Sequence, residues 1–182
     1  QEEKATTTGY MLFKRFNRSI SKTSPGVASQ NRPSIIFRLA DFYLIYAEVA
    51  NEVNPSDSRV LTYLNLVRER AGLPKVEVLN PSIVGNKELQ RAAIQRERQI
   101  ELATEGQRYF DVRRWMIADK DGEGRQNGYA HGMNVRGTIN DTEEFNRVVE
   151  TEKIVFNRKM YLQPIPDHEM RKTQNLVQNP GW

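Results

Sequence analysis

The segment from Arg91 to Trp115 constrains the fold of this 182-residue chain more than any other stretch. It contains six arginines, three glutamates and one aspartate, placed around aliphatic and aromatic residues at helical spacing. Burying the apolar stripe of such a helix brings the neighbouring charges close to the core, where an unpaired charge is costly. The segment therefore predicts helices whose acidic and basic side chains pair with one another.

The acidic residues of this segment are candidates for a structural or a functional cluster. Glu97, Glu101 and Glu105 recur at four-residue spacing and so occupy one face of a helix, where like charges repel. A guanidinium can hold a carboxylate with two hydrogen bonds. We therefore predict a structural charge network between the third and fourth helices. Its predicted cations are Arg98, Arg108, Arg113 and Arg114. The alternatives are a carboxylate pair for acid–base chemistry and a metal site.

The composition is that of an ordinary globular protein and excludes several classes of function. The chain has 38% hydrophobic and 27% charged residues and a net charge of +4. Its basic residues are scattered among acidic ones, whereas a nucleic-acid-binding protein concentrates them on one face, so we expect no nucleic-acid partner. The absence of cysteine excludes disulfides, thiolate metal sites and cysteine nucleophiles from this sequence. Nucleophile, phosphate-loop and dinucleotide motifs are absent, so we expect no metal, no cofactor and no catalytic residue.

Residues 35–118 show apolar residues at helical spacing in four segments, which predicts two antiparallel helical hairpins. The first stripe comprises Leu39, Phe42, Tyr43, Tyr46, Val49, Ala50 and Val53, with Asp41, Glu48 and Glu52 off it. Asn54-Pro55 ends that helix, and Ser56 or Asp57 can cap the next. The second stripe comprises Val60, Leu61, Leu64, Val67 and Ala71, and Gly72 stops it.

A third helix is predicted at residues 86–104 and a fourth at 107–118, separated by Gly106. The predicted inward residues of these helices are Leu89, Ala93, Ile100, Ala103, Tyr109, Val112 and Met116. Each hairpin is close to the tetratricopeptide repeat length of about 34 residues. The fold class predicted is therefore all-α, built from tetratricopeptide-like helical hairpins.

The segments outside the hairpins are predicted to be irregular. Residues 1–34 form a polar arm, and five glycines interrupt residues 119–144, which we expect to form a long glycine-rich loop. Residues 145–182 form a C-terminal tail, extended over 154–162, with a helical turn near 167–172.

Four sequence blocks carry a family resemblance. They are FRLADFYLIYAEVANE, LNLVRERAGLP, ELATEGQRYFDVRRW and YLQPIPDHEMRKTQNLVQNPGW. In that order, and across most of residues 37–182, they resemble the C-terminal region of SusD/RagB-type proteins. The last block contains the Pro-Ile-Pro and Gln-Asn-Pro-Gly-aromatic sequences that are typical of the tail of this family.

The resemblance implies a lipoprotein anchored at the outer membrane of Bacteroidetes-type bacteria and exposed at the cell surface. Such proteins bind glycans, or in some members peptides, and cap a SusC-like TonB-dependent transporter. Their helical hairpins carry long loops that help form the ligand site. This sequence lacks a signal segment, a lipidated cysteine and the N-terminal helices of the family, so we expect it to be the C-terminal part of a member.

Sugar recognition uses flat apolar faces for stacking and polar side chains for hydroxyl groups. The predicted ligand residues are Tyr129, Gln126, Asn127, His131 and Asn134, which lie together in the glycine-rich region. The helical aromatics Phe42, Tyr43, Tyr46, Phe110 and Trp115 are expected in the core. Trp182 and the preceding Asn-Pro-Gly turn are expected to pin the C-terminus onto the helices.

Two other classes of protein stay open on the residues alone. A tetratricopeptide adaptor that binds peptides would share the hairpins but would not require the proline-rich tail. A glycoside hydrolase would need two carboxylates facing one cleft, about 5–10 Å apart.

Overall fold

The structure of this chain is a computed structural model, which describes residues 10, 12 and 14 and the ranges 34–120, 127–134 and 148–182. The predicted polar arm at residues 1–34 therefore lies almost wholly outside the described residues. The chain divides into two compact units. The helical unit is Pro33–Asp111, and the tail unit comprises Val112–Trp182 together with Gln1–Arg32.

The helical unit is a bundle of amphipathic helices joined by short turns. Its helices are α1 (Leu39–Val53), α2 (Ser58–Arg70), the short α3 (Val76–Leu79) and α4 (Lys87–Glu101), and α5 (Gln107–Arg114) begins in it. A 3-10 turn at Pro81–Ile83 precedes α4. Helix α1 packs against both α2 and α4, and α2 also packs against α4. Their shared core consists of Ala40, Leu44, Ala47, Val60, Leu64, Val67 and Ile94.

Local sequence signals set the ends of these helices as predicted. Asp57 caps α2 by accepting a hydrogen bond from the backbone of Arg59, and α1 ends before Asn54. Gly72 has a φ of 76°, and Leu73 N–H donates to the Arg68 carbonyl, which closes α2 with a Schellman turn. These capping bonds fix where each helix stops and therefore how tightly the hairpin turns.

The predicted inward face of α1 is wrong. The residues buried in this helix are Ala40, Asp41, Leu44, Ala47 and Asn51. Leu39, Tyr46, Val49 and Val53 are exposed, and Phe42, which we expected in the core, is 53% exposed. Only Tyr43 and Ala50 of the predicted stripe pack against the core. Small residues at positions 40 and 47 let the helix lie close to its neighbours, so the inner face is the one with the smaller side chains.

The predicted inward face of α4 is also displaced. Its buried residues are Gln90, Ile94, Glu97 and Arg98, and Ala93 packs against the core as predicted, whereas Leu89 and Ile100 are exposed. Val112 of α5 is fully buried as expected, but Tyr109, Met116 and Phe110 are exposed, Phe110 by 64%. The stripe predicted for α2 is correct for Val60, Leu64 and Val67.

The described part of the tail unit contains the chain's sheet. Strand β1 (Gly128–Met133) pairs antiparallel with β2 (Val148–Ile154), which contradicts the irregular loop predicted for this part of residues 119–144. The two glycines of β1, Gly128 and Gly132, are accommodated because the partner strand supplies the backbone hydrogen bonds. After β2 the chain forms a 3-10 turn at Arg158–Tyr161 rather than the extended run predicted to residue 162.

The C-terminal tail closes onto that 3-10 turn. A short helix, α6 (Asp167–Met170), lies where a helical turn was predicted. The Trp182 indole N–H lies 3.0 Å from the carbonyl oxygens of both Lys159 and Leu162, and the Asn179 amide donates to the Gln163 carbonyl. Phe156 packs with Val112 and Ala118 to form the small core of this unit.

The described residues are mainly helical, with this two-stranded sheet as the exception, and the predicted helical fold class is confirmed. Among these residues the helices are too short or too polar to cross a bilayer.

Candidate functional site

The predicted ligand residues centre on strand β1, where two of them share an exposed face. The side chains of Tyr129 and His131 are exposed, and the residues between and before them are partly buried, as the alternation of a strand requires. Tyr129 pairs in register with Lys153, and His131 with Glu150. The register shifts between Ala130 and His131, which marks a β-bulge.

Tyr129 combines an accessible ring with a neighbouring cation. The side chain is 48% exposed, and Lys153 Nζ lies 5.7 Å from the ring centroid. A cation at this distance is attracted to the ring quadrupole and steadies the ring on the sheet. The arrangement offers an aromatic surface and an imidazole on one side of the hairpin, which suits stacking and hydrogen bonding to a polar ligand.

The other predicted ligand residues are placed differently. Asn127 accepts a hydrogen bond from the backbone N–H of Phe156, and its amide lies 3.5 Å from the Asp119 carbonyl, so it ties together the base of the hairpin. Asn134 is half-buried, just beyond the end of β1. Gln126 lies outside the described residues.

Arg98 is the centre of the charge cluster in the helical unit. Its side chain is 2% exposed and holds Asp111 of α5 with two hydrogen bonds, of 2.9 and 3.1 Å. A third hydrogen bond, of 2.8 Å, reaches Asp41 of α1. One guanidinium thus joins three helices at a place where solvent cannot stabilise either carboxylate.

The three glutamates predicted for the network are held by arginines that the sequence analysis did not assign to it. Glu97 pairs with Arg68 at 2.8 Å, and Glu101 pairs with Arg70 at 2.6 Å. Arg38 donates to both Glu105 oxygens at 2.9 Å and also contacts Glu101. The hydrogen bonds that Arg38 donates to Glu105 are the main cause that raises the pKa of Arg38.

Two of the three remaining predicted cations have described contacts with aromatic rings. The guanidinium of Arg113 lies 4.9 Å from the Phe156 ring centroid, and that of Arg114 lies 4.7 Å from the ring of Trp115. Arg108 is half-buried near the start of α5. Within the described ranges, no group of three or more acidic or histidine side chains could hold a metal ion.

Several residues of the cluster gave little signal in the sequence. Asp41 lay off the predicted stripe, and Arg38 precedes the helix. Arg68 and Arg70 did carry a signal, because they alternate with Glu69 on a helix packed beside the acidic face of α4. Complementary charge on two adjacent predicted helices could therefore have identified that half of the cluster.

Comparison with known proteins identifies relatives along the whole chain. The family model described as the SusD family matches residues 1–182. SusD-like protein P2 of Formosa agariphila is 32% identical over 151 residues, which cover 81% of this chain and 26% of that protein. SusD-like protein P25 of the same organism is 43% identical over 106 residues, which cover 58% of this chain and 19% of that protein.

The fold is also similar to that of a solved relative. A SusD-like protein from Bacteroides fragilis superposes with a TM-score of 0.65 and 30% identity, over 82% of this chain and 26% of that one. The chain thus spans about a quarter or less of the length of these relatives.

Proposed function

Because this chain belongs to the SusD family, we propose that it is part of a nutrient-binding protein that captures glycans at the bacterial cell surface. The proposed protein binds its ligand without chemical change and delivers it to a SusC-like TonB-dependent transporter. It acts as a lipoprotein of the outer membrane. The family match across residues 1–182 is the observation that carries this proposal.

We place one contact with the glycan on the exposed face of β1. Tyr129 offers a ring for stacking against the apolar face of a sugar, and His131, two residues further along the strand, offers nitrogen atoms that can pair with hydroxyl groups. Asn134 beyond the strand, together with Gln126 and Asn127 before it, completes the proposed ligand residues. Backbone pairing of β1 with β2 holds the two exposed side chains on one face of a structured hairpin.

The arrangement of the glutamates supports binding without catalysis. A glycosidase needs two carboxylates that face one cleft and are free to act on the substrate. Glu97, Glu101 and Glu105 are instead engaged by arginines at hydrogen-bonding distance. Their geometry suits a structural role better than acid–base chemistry.

The replacement Tyr129→Ala tests the proposed contact. We expect glycan affinity to fall about tenfold. Stacking by an aromatic ring is worth about 0.5–1.5 kcal/mol beyond simple area burial, and about 1.4 kcal/mol corresponds to a tenfold change in affinity. Ligands are first found on a glycan array, and affinity is then measured by isothermal titration calorimetry. Phe42→Ala is the matched control, since it also removes a half-exposed aromatic ring but from the helical unit.

The outcomes separate the competing functions. Equal affinities of Tyr129→Ala and the unaltered chain would remove Tyr129 from the site. Release of shorter sugars, detected by chromatography, would favour a hydrolase, and binding of peptides alone would favour a peptide-binding member or a tetratricopeptide-type interaction module. Co-purification of the full-length protein with a barrel transporter of the SusC type tests the proposed partner.

A further inference from the structure

A cavity of about 770 Å³ lies within the tail unit, and none of its described lining residues belongs to strand β1. Its size is in the range of about 300–1,000 Å³ that is typical of small-molecule sites. Four of the described residues that line it are cationic and none is acidic. These cations are Arg113, Arg114, Arg158 and Lys159. A concentration of one sign of charge around a concave surface attracts ligands of the opposite sign.

Arg158 and Lys159 are the cations best placed to meet a ligand. The side chain of Arg158 is 82% exposed, and its described ion pair, with Asp119, is long at 3.9 Å. The Lys159 ammonium lies 4.2 Å from the ring centroid of Trp182, which holds it in place while leaving its N–H donors able to bond an anion. Both residues can therefore form charge-assisted hydrogen bonds with an incoming carboxylate or sulfate.

Asp119 has a described ion pair with Arg158, and it also accepts a hydrogen bond from Tyr161. It accepts a hydrogen bond of 2.6 Å from the Tyr161 hydroxyl, and this bond is the main cause that lowers the pKa of Asp119. The Tyr161 hydroxyl bonds Asp119 Oδ1, whereas Asp119 Oδ2 lies 3.9 Å from Arg158 Nη1, which is beyond hydrogen-bonding distance. The arginine keeps donors that face solvent.

The wall of the cavity is apolar and is fixed by the closure of the C-terminus. Met116, Leu162 and the Tyr161 ring contribute carbon surface, against which a sugar ring can pack. The Trp182 indole bonds the carbonyls on either side of this wall, and Gly181 lies against Lys159. A preformed wall reduces the entropy lost on binding.

From this combination we propose that the cavity binds an acidic sugar unit, through Arg158 and Lys159 on its charged group and the apolar wall on its ring. The saccharide nature of the ligand rests on the function proposed above, and the requirement for negative charge rests on the cavity itself. The shared chemistry is an anionic group on a sugar. A uronic acid and a sulfate ester are its two sources.

The test is an array of matched neutral, uronic-acid and sulfated oligosaccharides, probed with the full-length protein that contains this chain and followed by calorimetry on the best ligands. We expect the strongest binding among the acidic sugars, and about tenfold weaker binding after Arg158→Gln with Lys159→Gln. Arg171→Gln with Lys172→Gln is the matched control, because it removes the same charge from exposed positions of the same unit outside the cavity. If the double variant fails to fold, the single Arg158→Gln variant still tests the proposal, because its side chain is 82% exposed and its replacement should not disturb folding.

Three results would separate the hypotheses. Preference for acidic sugars, lost in the cavity variant and kept in the control, supports the acidic-sugar site, and the array shows whether carboxylate or sulfate is preferred. Neutral sugars binding as strongly as acidic ones, or equal losses in both double variants, would overturn the cavity proposal and leave glycan capture standing. No binding of any sugar would refute glycan capture itself.

Discussion

Replacement of Arg98 by methionine tests whether the buried charge cluster holds the helical unit together. The substitution keeps much of the aliphatic volume but leaves Asp41 and Asp111 without the guanidinium that bonds them. Both carboxylates are buried, and removing one partner from a buried ion pair costs about 3–5 kcal/mol. The free energy of unfolding of an ordinary domain is about 5–15 kcal/mol, so this loss would leave the variant only marginally stable.

Urea denaturation followed by circular dichroism at 222 nm measures this loss, because the signal comes mainly from the helices. With a slope of about 2 kcal/mol per molar urea, the midpoint should fall by roughly 2 M. Arg96→Met is the matched control, since Arg96 lies on the same helix but is exposed, and its replacement should change stability by less than about 0.5 kcal/mol.

A second set of variants isolates the contribution of the stranded carboxylates. Adding Asp41→Asn and Asp111→Asn to Arg98→Met removes the unpaired negative charge and should restore about 2 kcal/mol. A loss below about 1 kcal/mol for Arg98→Met, or a loss equal to that of Arg96→Met, would refute the structural role of the cluster.

Two further predictions concern the periphery of the two units. The hydrogen bond from Arg91 lowers the pKa of Glu52 from 4.5 to about 2, so the stability it contributes is present above pH 4.5 and is lost as pH falls toward 2. Glu52→Gln should therefore lower the free energy of unfolding by about 0.5 kcal/mol at pH 7, and by progressively less below pH 4.5, as measured in urea titrations. A difference between the variant and the unaltered chain that stays constant with pH would contradict this. Gly181→Ala should loosen the C-terminus, because the added Cβ would lie 2.9 Å from Lys159 Cβ and φ is 88°. Limited trypsin digestion should then cleave the tail faster after Arg171, and an unchanged rate would argue against the proposed closure.

The success of sequence reasoning depended on how many apolar faces a helix has. In α2 the apolar residues form one stripe, and Val60, Leu64 and Val67 were correctly placed in the core. Helix α1 has two apolar faces, and the bulkier one, which includes Phe42, was wrongly placed inward. Periodicity cannot decide between two such faces, because the choice depends on which one fits closely against α2 and α4.

Buried polar residues were the second cause of error. Asp41 and Asn51 occupy the inner face of α1 because partners distant in sequence satisfy them, Arg98 for the first and the Lys87 carbonyl for the second. Such pairings arise only when helices pack, so no local pattern reveals them. The hairpin was missed for a similar reason, since β1 owes its structure to β2, which follows it after a long connection.

Only some of the candidate ligand residues could be predicted from the sequence alone. The cluster around Tyr129 was predicted because an aromatic and several amides stand close together in the chain, and its role in binding stays a prediction. The adjacent cations at 158 and 159 gave no such signal, because their significance depends on the fold of the C-terminal tail around Trp182.

Successive side chains of strand β1 point to opposite faces of the hairpin, and the two faces have different roles. Inward positions such as Gly132 maintain the hairpin, whereas 129 and 131 project outward and carry little of its packing. Substitutions at the outward pair should therefore cost little folding stability, so the chemistry of this exposed face can change while the hairpin stays intact.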